Sequence, residues 1–204
     1  MFKEVMEHIK TALILLIVFT LVTGLLYPLA VTGLAQLLFP AKANGSLIKQ
    51  NDHVIGSQLI GQFFSSPTYF WGRPSATSPY PYNGEASAGS NLGPTNPDFI
   101  TAVKKRILPL KETSPQNNKG IPVDLVTASG SGLDPDISPY AAYYQAARIA
   151  KARNLSLEEV NTLIQKHIKN RTLGLLGEPR VNVLEINLAL DNLRMSHDQS
   201  TPNS

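Results

Sequence analysis

Cysteine is absent from the 204 residues. Its absence excludes thiol catalysis, cysteine-ligated zinc and a disulfide framework. It leaves the compartment open, because a disulfide-free chain can live on either side of a membrane. Histidine is scarce as well. His8, His53, His167 and His197 lie far apart, with no H-x-x-H or H-E-x-x-H spacing, so no metal site is expected. Charge is thin and balanced, 18 basic against 15 acidic residues, and the one basic run is Lys104–Arg106. A nucleic-acid binder shows a basic stripe or a basic patch interleaved with aromatics, so no nucleic-acid partner is expected.

The longest feature present is apolar. Between Lys10 and Lys42 the chain reads "TALILLIVFTLVTGLLYPLAVTGLAQLLFPA", without a charge. A membrane-spanning helix needs about 20 apolar residues, so this run predicts a transmembrane helix over 11–39. Ala41-Lys42-Ala43 imitates a signal-peptidase site, but a signal h-region is only about 7–15 residues long, and the reading is an anchor. Pro28 is expected to kink the helix. Thr20, Gly24, Pro28, Val31 and Ala35 fall along one flank at helical spacing, a candidate surface for docking another helix. Lys3 and Lys10 precede the run, and Lys42 and Lys49 follow it. The positive-inside count therefore does not orient it.

Beyond the anchor, residues 44–96 are rich in Gly, Pro, Ser and Asn, yet "FFSSPTYFWGRPSATSPYPYNG" holds the single Trp and many other aromatics. Disordered linkers are depleted in such residues, so a folded, loop-rich segment is expected, with short strands at 54–61 and 69–76. Arg73 can stack on Trp71 or Tyr69, or pair with a carboxylate. Pro97 opens a helix that runs to Pro109. Residues 121–127 read as a strand. Ser138-Pro139 opens a helix through "YAAYYQAARIAKARN", and Ser156 with Glu159 forms a capping box for the next. Asn182 with Glu185 caps a last helix, although Ile186, Leu188 and Leu190 also alternate as in a strand. The polar residues 196–204 read as a frayed tail. The fold class is α+β: one N-terminal transmembrane helix, then a single loop-rich domain over 40–195.

"TASGSGLDP" (127–135) has the look of a phosphate-binding turn. It lacks the lysine of a G-x-x-x-x-G-K-[ST] loop, and Pro135 breaks G-x-G-x-x-G. No D-K-T-G run offers an aspartyl-phosphate, and Gly130-Ser131-Gly132 lacks the flanks of a G-x-S-x-G elbow. Ser129, Gly130, Ser131 and Gly132 are read as a tight turn, with an anion held by local backbone amides as the alternative.

Five long stretches then point one way: 27–48, 56–77, 82–97, "DLVTASGSGLDPDISPYAAYYQAARIA" (124–150) and "LGLLGEPRVNVLEINLALD" (173–191). In that order they closely resemble the C subunit of the Kdp potassium-transporting ATPase, over residues 10 to 192. The resemblance implies a non-catalytic accessory subunit of a bacterial high-affinity potassium uptake pump. The catalytic chemistry belongs to a P-type B subunit and potassium to a channel-like A subunit, with a small F subunit as a further partner. It implies one pass through the cytoplasmic (inner) membrane, residues 1–10 in the cytoplasm and the main domain extracytoplasmic. In that family the C subunit is proposed to raise ATP affinity through a glutamine in S-P-x-A-A-x-Y-Q, here Gln145, which makes ATP the one candidate ligand. A route compatible with the topology is docking on the potassium-carrying subunit, stabilising the assembly or one transport state. Ala88 stands where the family has glycine, which questions a positive φ there, and Pro109 interrupts a family helix. The alternative reading is an anchored extracytoplasmic enzyme or ligand-binding protein using Gly130–Gly132.

Overall fold

The computed structural model describes residues 1–200, with side chains through Leu193. The chain divides into two compact units, Met1–Leu47 and the residues from Ile48 onward.

The first unit is helical. α1 (Phe2–Leu21) passes through a π turn (Val22–Leu26) into α2 (Tyr27–Leu38), and a short α3 (Pro40–Ala43) follows. Together Phe2–Leu38 make a 37-residue helix, long and apolar enough to cross a membrane, with none of its most apolar window buried in the protein. The helix begins nearer the N-terminus than the apolar run, taking in the charged turn that precedes it. Pro28 has no N–H to donate, and the helix meets that loss with one wider turn in which the Tyr27 N–H reaches the Val22 carbonyl. Past the end of α2, Asn44 donates its amide to the Pro40 carbonyl (2.7 Å) and exchanges hydrogen bonds with Gln36 (3.1 and 3.3 Å). Those bonds hold the corner.

The second unit opens with a hairpin, β1 (Leu47–Gln50) and β2 (His53–Ser57), turned by Asn51 and Asp52, both at positive φ. Residues 58–96 then form no helix or strand. α4 (Pro97–Thr113) follows, capped by Asn96, whose side chain accepts from the Asp98 N–H. β3 (Asp136–Ile137), α5 (Pro139–Arg153), α6 (Leu157–His167), β4 (Ile168–Lys169), β5 (Arg180–Asn182) and α7 (Val183–Ser200) complete it. The three short strands make an antiparallel sheet in the order β3-β5-β4, with Val181 opposite both Ile137 and Ile168. The core lies where α5, α6 and α7 meet that sheet: Ala141, Ala142, Ile149, Val160, Ile164, Val181, Ile186 and Leu190 are buried, and Phe70 joins them from the irregular segment. Alanines on α5 leave little side-chain bulk, so neighbours approach on several faces.

Several expectations are corrected. Residues 69–76 form no strand, and the N–H groups of Phe70 and Trp71 meet side chains rather than another strand (below). Residues 121–127 hold a 3-10 turn at Val123–Leu125, not a strand. Pro122 sets its entry, and Asp124 accepts from the Ser138 N–H at 2.7 Å, which ties the turn to the start of α5. α4 does not stop at Pro109 but continues to Thr113. Pro109 sits on the exposed side of α4 with Lys105, four residues before it, and the Thr113 hydroxyl donates to the Pro109 carbonyl (2.7 Å). The first strand, expected over 54–61, ends at Ser57. The capping box of α6 forms as read, and Asn182 caps the last helix by accepting from the Glu185 N–H (3.0 Å). α7 continues to Ser200, past the expected start of the tail, and 201–204 lie outside the described residues.

Because Pro109 sits mid-helix on the solvent side, Pro109→Ala restores a helical N–H and should raise stability by about 2 kcal/mol, after allowing for the looser unfolded chain. Urea unfolding of the two proteins checks this. A stability loss would mean that the proline shapes α4 in a way its exposed position does not suggest.

Candidate functional site

The sites singled out by sequence lie in different places. Gln145 is buried in the middle of α5. Its oxygen accepts from the Trp71 N–H (2.8 Å) and from Arg148 Nη2 (2.6 Å). Its nitrogen donates to the carbonyls of Trp71 (3.1 Å) and Ala141 (3.3 Å). Both ends of the carboxamide are thus engaged inside the protein, and the side chain takes the place of a neighbouring β-strand for one residue.

One residue earlier the same device recurs from α7. Asn187 Oδ1 accepts from the Phe70 N–H (2.8 Å) and Asn187 Nδ2 donates to the Phe70 carbonyl (3.0 Å). Two cations of α5 extend the clamp. Arg148 donates to the carbonyls of Pro67 and Tyr69 and lies over the Trp71 ring, 4.2 Å from its centre. Arg153 donates to the Thr68 carbonyl (2.6 Å), covers the Tyr69 ring at 4.6 Å and pairs with Asp191 at 2.9 Å. The cations on the aromatics are therefore Arg148 and Arg153. Arg73 instead pairs with Asp134 (2.9 Å). Burial pushes Arg148 down to about 10, which still leaves it a cation at neutral pH.

Sequence reasoning missed Asn187, Arg148 and Asp191. The available signal was phase: Asn187 stands among aliphatics of α7, and Arg148 follows Gln145 by three on the packed face of α5.

Ser129–Gly132 forms a joint. The Ser129 N–H donates to the Pro74 carbonyl (3.2 Å), and the Ser131 carbonyl accepts from the Ala88 N–H (2.9 Å) and the Ser87 hydroxyl (3.0 Å). The Gly132 carbonyl accepts from Ser75 Oγ (2.7 Å). Gly132 has φ +70°, and a Cβ there would meet the Ala88 carbonyl at 2.6 Å, so only glycine fits. Ala88 itself is not at positive φ, so alanine is unstrained in its place. Two grooves of the domain lie elsewhere: one of about 360 Å³ between Phe63, Trp71, Arg73, Tyr82 and Arg106, and one of about 610 Å³ along Asp124, Asp134, Asp136 and Arg180. Ser129–Gly132 lines neither. Among the described residues, no group of three or more His, Asp or Glu side chains is placed to hold a metal.

Thr20, Gly24, Pro28 and Ala35 lie on the apolar helix, on either side of and within its π turn. Four-residue steps drift by about 40° in a regular helix. The wider turn reduces that drift across Gly24 and keeps Thr20, Gly24 and Pro28 closer to one line. A Cβ at Gly24 would meet nothing closer than Thr20 Cγ2 at 4.0 Å, so this part of the surface is a shallow notch.

A family model described as KdpC, the c chain of the K+-transporting ATPase, matches residues 9–192. The chain belongs to the KdpC family. It is 60% identical over 188 residues to the potassium-transporting ATPase KdpC subunit of Methylococcus capsulatus, covering 92% of this chain and 99% of that one. The Polynucleobacter asymbioticus subunit is 58% identical, with 89% and 96% covered, and that of Sorangium cellulosum 57%, with 93% and 100% covered. KdpC is a subunit of the potassium-transporting ATPase, and with its apolar N-terminal helix the chain is a membrane protein.

Gln145→Ala or Asn187→Ala leaves a backbone N–H and carbonyl without partners at a buried position, and each should cost about 2–4 kcal/mol in urea unfolding. A loss below about 1 kcal/mol for either would remove the clamp from the account. A second expectation concerns Tyr82, whose phenol is pushed up to about 12, first by burial and then by the Asp134 charge. The unfolded chain releases this proton near 10, so between there and 12 the unfolded state binds fewer protons and stability falls as pH rises. Tyr82→Phe should flatten that fall, and identical slopes in both proteins would contradict it.

Proposed function

We propose that this chain is a non-catalytic accessory subunit of an ATP-driven, high-affinity potassium uptake pump, stabilising the complex or one of its transport states. The observation that carries the reading is where its buried amide and guanidinium groups point, the buried Ser129 hydroxyl, which meets no partner, being the exception. Gln145, Arg148, Asn182 and Asn187 all serve the chain's own backbone, and Asn182 reaches Gln58 (3.0 Å) as the others reach 67–71. A domain so arranged is a rigid shape to be presented, while a reaction centre keeps polar groups aimed at a substrate.

In this reading the helix Phe2–Leu38 crosses the bacterial inner membrane once, its notch at Gly24 packs in the complex, and the domain stands on the extracytoplasmic side. The partners are the potassium-translocating A subunit, the catalytic B subunit and the small F subunit. The family's proposed tie between Gln145 and ATP becomes an indirect one. Gln145 holds 66–73 in place, and the domain so shaped favours a pump state with higher ATP affinity, which requires that it contact that state differently. ATP is then bound by the complex.

The test is potassium-stimulated ATP hydrolysis by solubilised A and B subunits, with and without this chain, with co-purification followed in the same preparation. The chain should join the complex and activity should depend on it. Neither co-purification nor any change in activity would defeat the proposal. Gln145→Ala should weaken assembly and activity together, and a mutant that assembles normally yet loses ATP affinity would instead favour a direct nucleotide site.

A further inference from the structure

The β4–β5 connection carries the two least protected apolar side chains of the domain, Leu173 and Leu175, with Leu176 beside them. Leu173, Leu175 and Leu176 are 88%, 80% and 64% exposed. Three exposed leucines within four residues form a knob of the kind that soluble surfaces avoid.

The knob is built to a fixed shape. Thr172 and Leu176 exchange backbone hydrogen bonds (2.9 and 3.0 Å), and the Gly174 N–H donates to the Arg171 carbonyl (3.1 Å). Arg171 grips both carboxylate oxygens of Glu178 at 2.7 and 2.8 Å and closes the base. Gly174 and Gly177 take positive φ, as does Leu173 at φ 56°. Leucine has no polar side chain to support that conformation, as asparagine does, and nothing in the domain covers the side chain that results. An unfavourable backbone that displays an uncovered apolar group points to a function.

We propose that this leucine knob docks into an apolar pocket on another protein subunit of the same ATPase. The inference rests on the chain being a pump subunit. Charge favours a protein over a bilayer as the occupant. The cations flanking the knob are each paired: Lys169 with Glu185, Arg171 with Glu178 and Arg180 with Asp136. No unpaired cation is thereby offered by these strands to anionic headgroups, and the tip has no Trp or Tyr of the kind that anchors at a membrane interface. An apolar centre within a ring of neutralised polar groups is the anatomy of a protein–protein contact. Three leucines fall short of the roughly 800 Å² that a stable interface buries per partner. The contact is therefore one of several, made effective because the membrane helix already holds the chain in the complex.

Two measurements decide it, both on the full chain co-expressed with the other subunits. The first replaces Leu173, Leu175 and Leu176 together by Ser. The expected result is an unchanged or raised melting temperature of the purified chain, with retention in the complex weakened tenfold or more. Retention and potassium-stimulated activity equal to the wild type would overturn the inference. The second uses the absence of cysteine from this chain: Leu175→Cys labelled with benzophenone maleimide places one photocrosslinker on it, with the cysteine-free wild-type chain treated alike as the control. A crosslink to another pump subunit is expected, while adducts confined to lipid or to a second copy of this chain would refute the proposal, even if the triple variant folds poorly. If the wild-type chain itself fails to join the complex or change activity, the subunit reading falls and this inference with it. If the wild type joins and the knob variants behave identically, only the inference falls.

Discussion

A peptide backbone that runs through a protein interior without helix or sheet must still find a partner for every N–H and carbonyl. In this domain that demand falls on residues 66–73, which pass between α5 and α7 with Phe70 buried in the core. The answer is a ladder made from side chains. The carboxamides of Asn187 and Gln145 pair residues 70 and 71 as a strand would, and the guanidinium groups of Arg148 and Arg153 collect the carbonyls before them. Arg148 also donates to Gln145, so the members orient one another and form one network. The core then closes around Phe70, and the 75–88 segment is carried onward to the joint at Ser129–Gly132.

The same network explains which parts of the fold the sequence displayed. Signals that act within one turn were legible. The capping box of α6 and the Asn182 cap depend on residues three apart, and the apolar run announced its helix by length alone. Residues 69–76 misled because their aromatics have strand character, while the partners that make a strand lie over seventy positions away and are side chains. The 121–127 run misled for a related reason. Apolar residues packed on one side of a proline-led turn look like a buried strand until Asp124 is seen capping the start of α5. Pro109 was judged by its usual effect in a helix interior, without knowing that Lys105 faces water. Among the candidate sites, Gly132 takes a positive φ and Gly130 does not, a difference that glycine spacing alone does not display. The structural engagement of Gln145 was not legible either, since a polar residue on a helix gives no sign of what its amide will meet.

Membership of the KdpC family and a helix able to cross a membrane give the chain its setting. Within it, the domain's chemistry is turned inward. Its charged and amide groups fix an irregular surface, and the most exposed apolar side chains sit on a loop that is itself pinned by an ion pair. A rigid surface of this kind suits a component that acts by contact. It discriminates between states of a larger assembly only through differences in what it touches.

Amide hydrogen exchange at Phe70 and Trp71 tests the central claim most directly. Both lie in a segment without helix or strand, and a loop of that description normally exchanges through small local openings. If the clamp of Gln145 and Asn187 replaces a β-ladder, the two N–H groups exchange only with unfolding of the domain, as slowly as Ile149 and Ile164 in the core. Fast exchange at 70 and 71 beside a protected core would show that the segment opens by itself, and the account of what holds this domain together would be wrong.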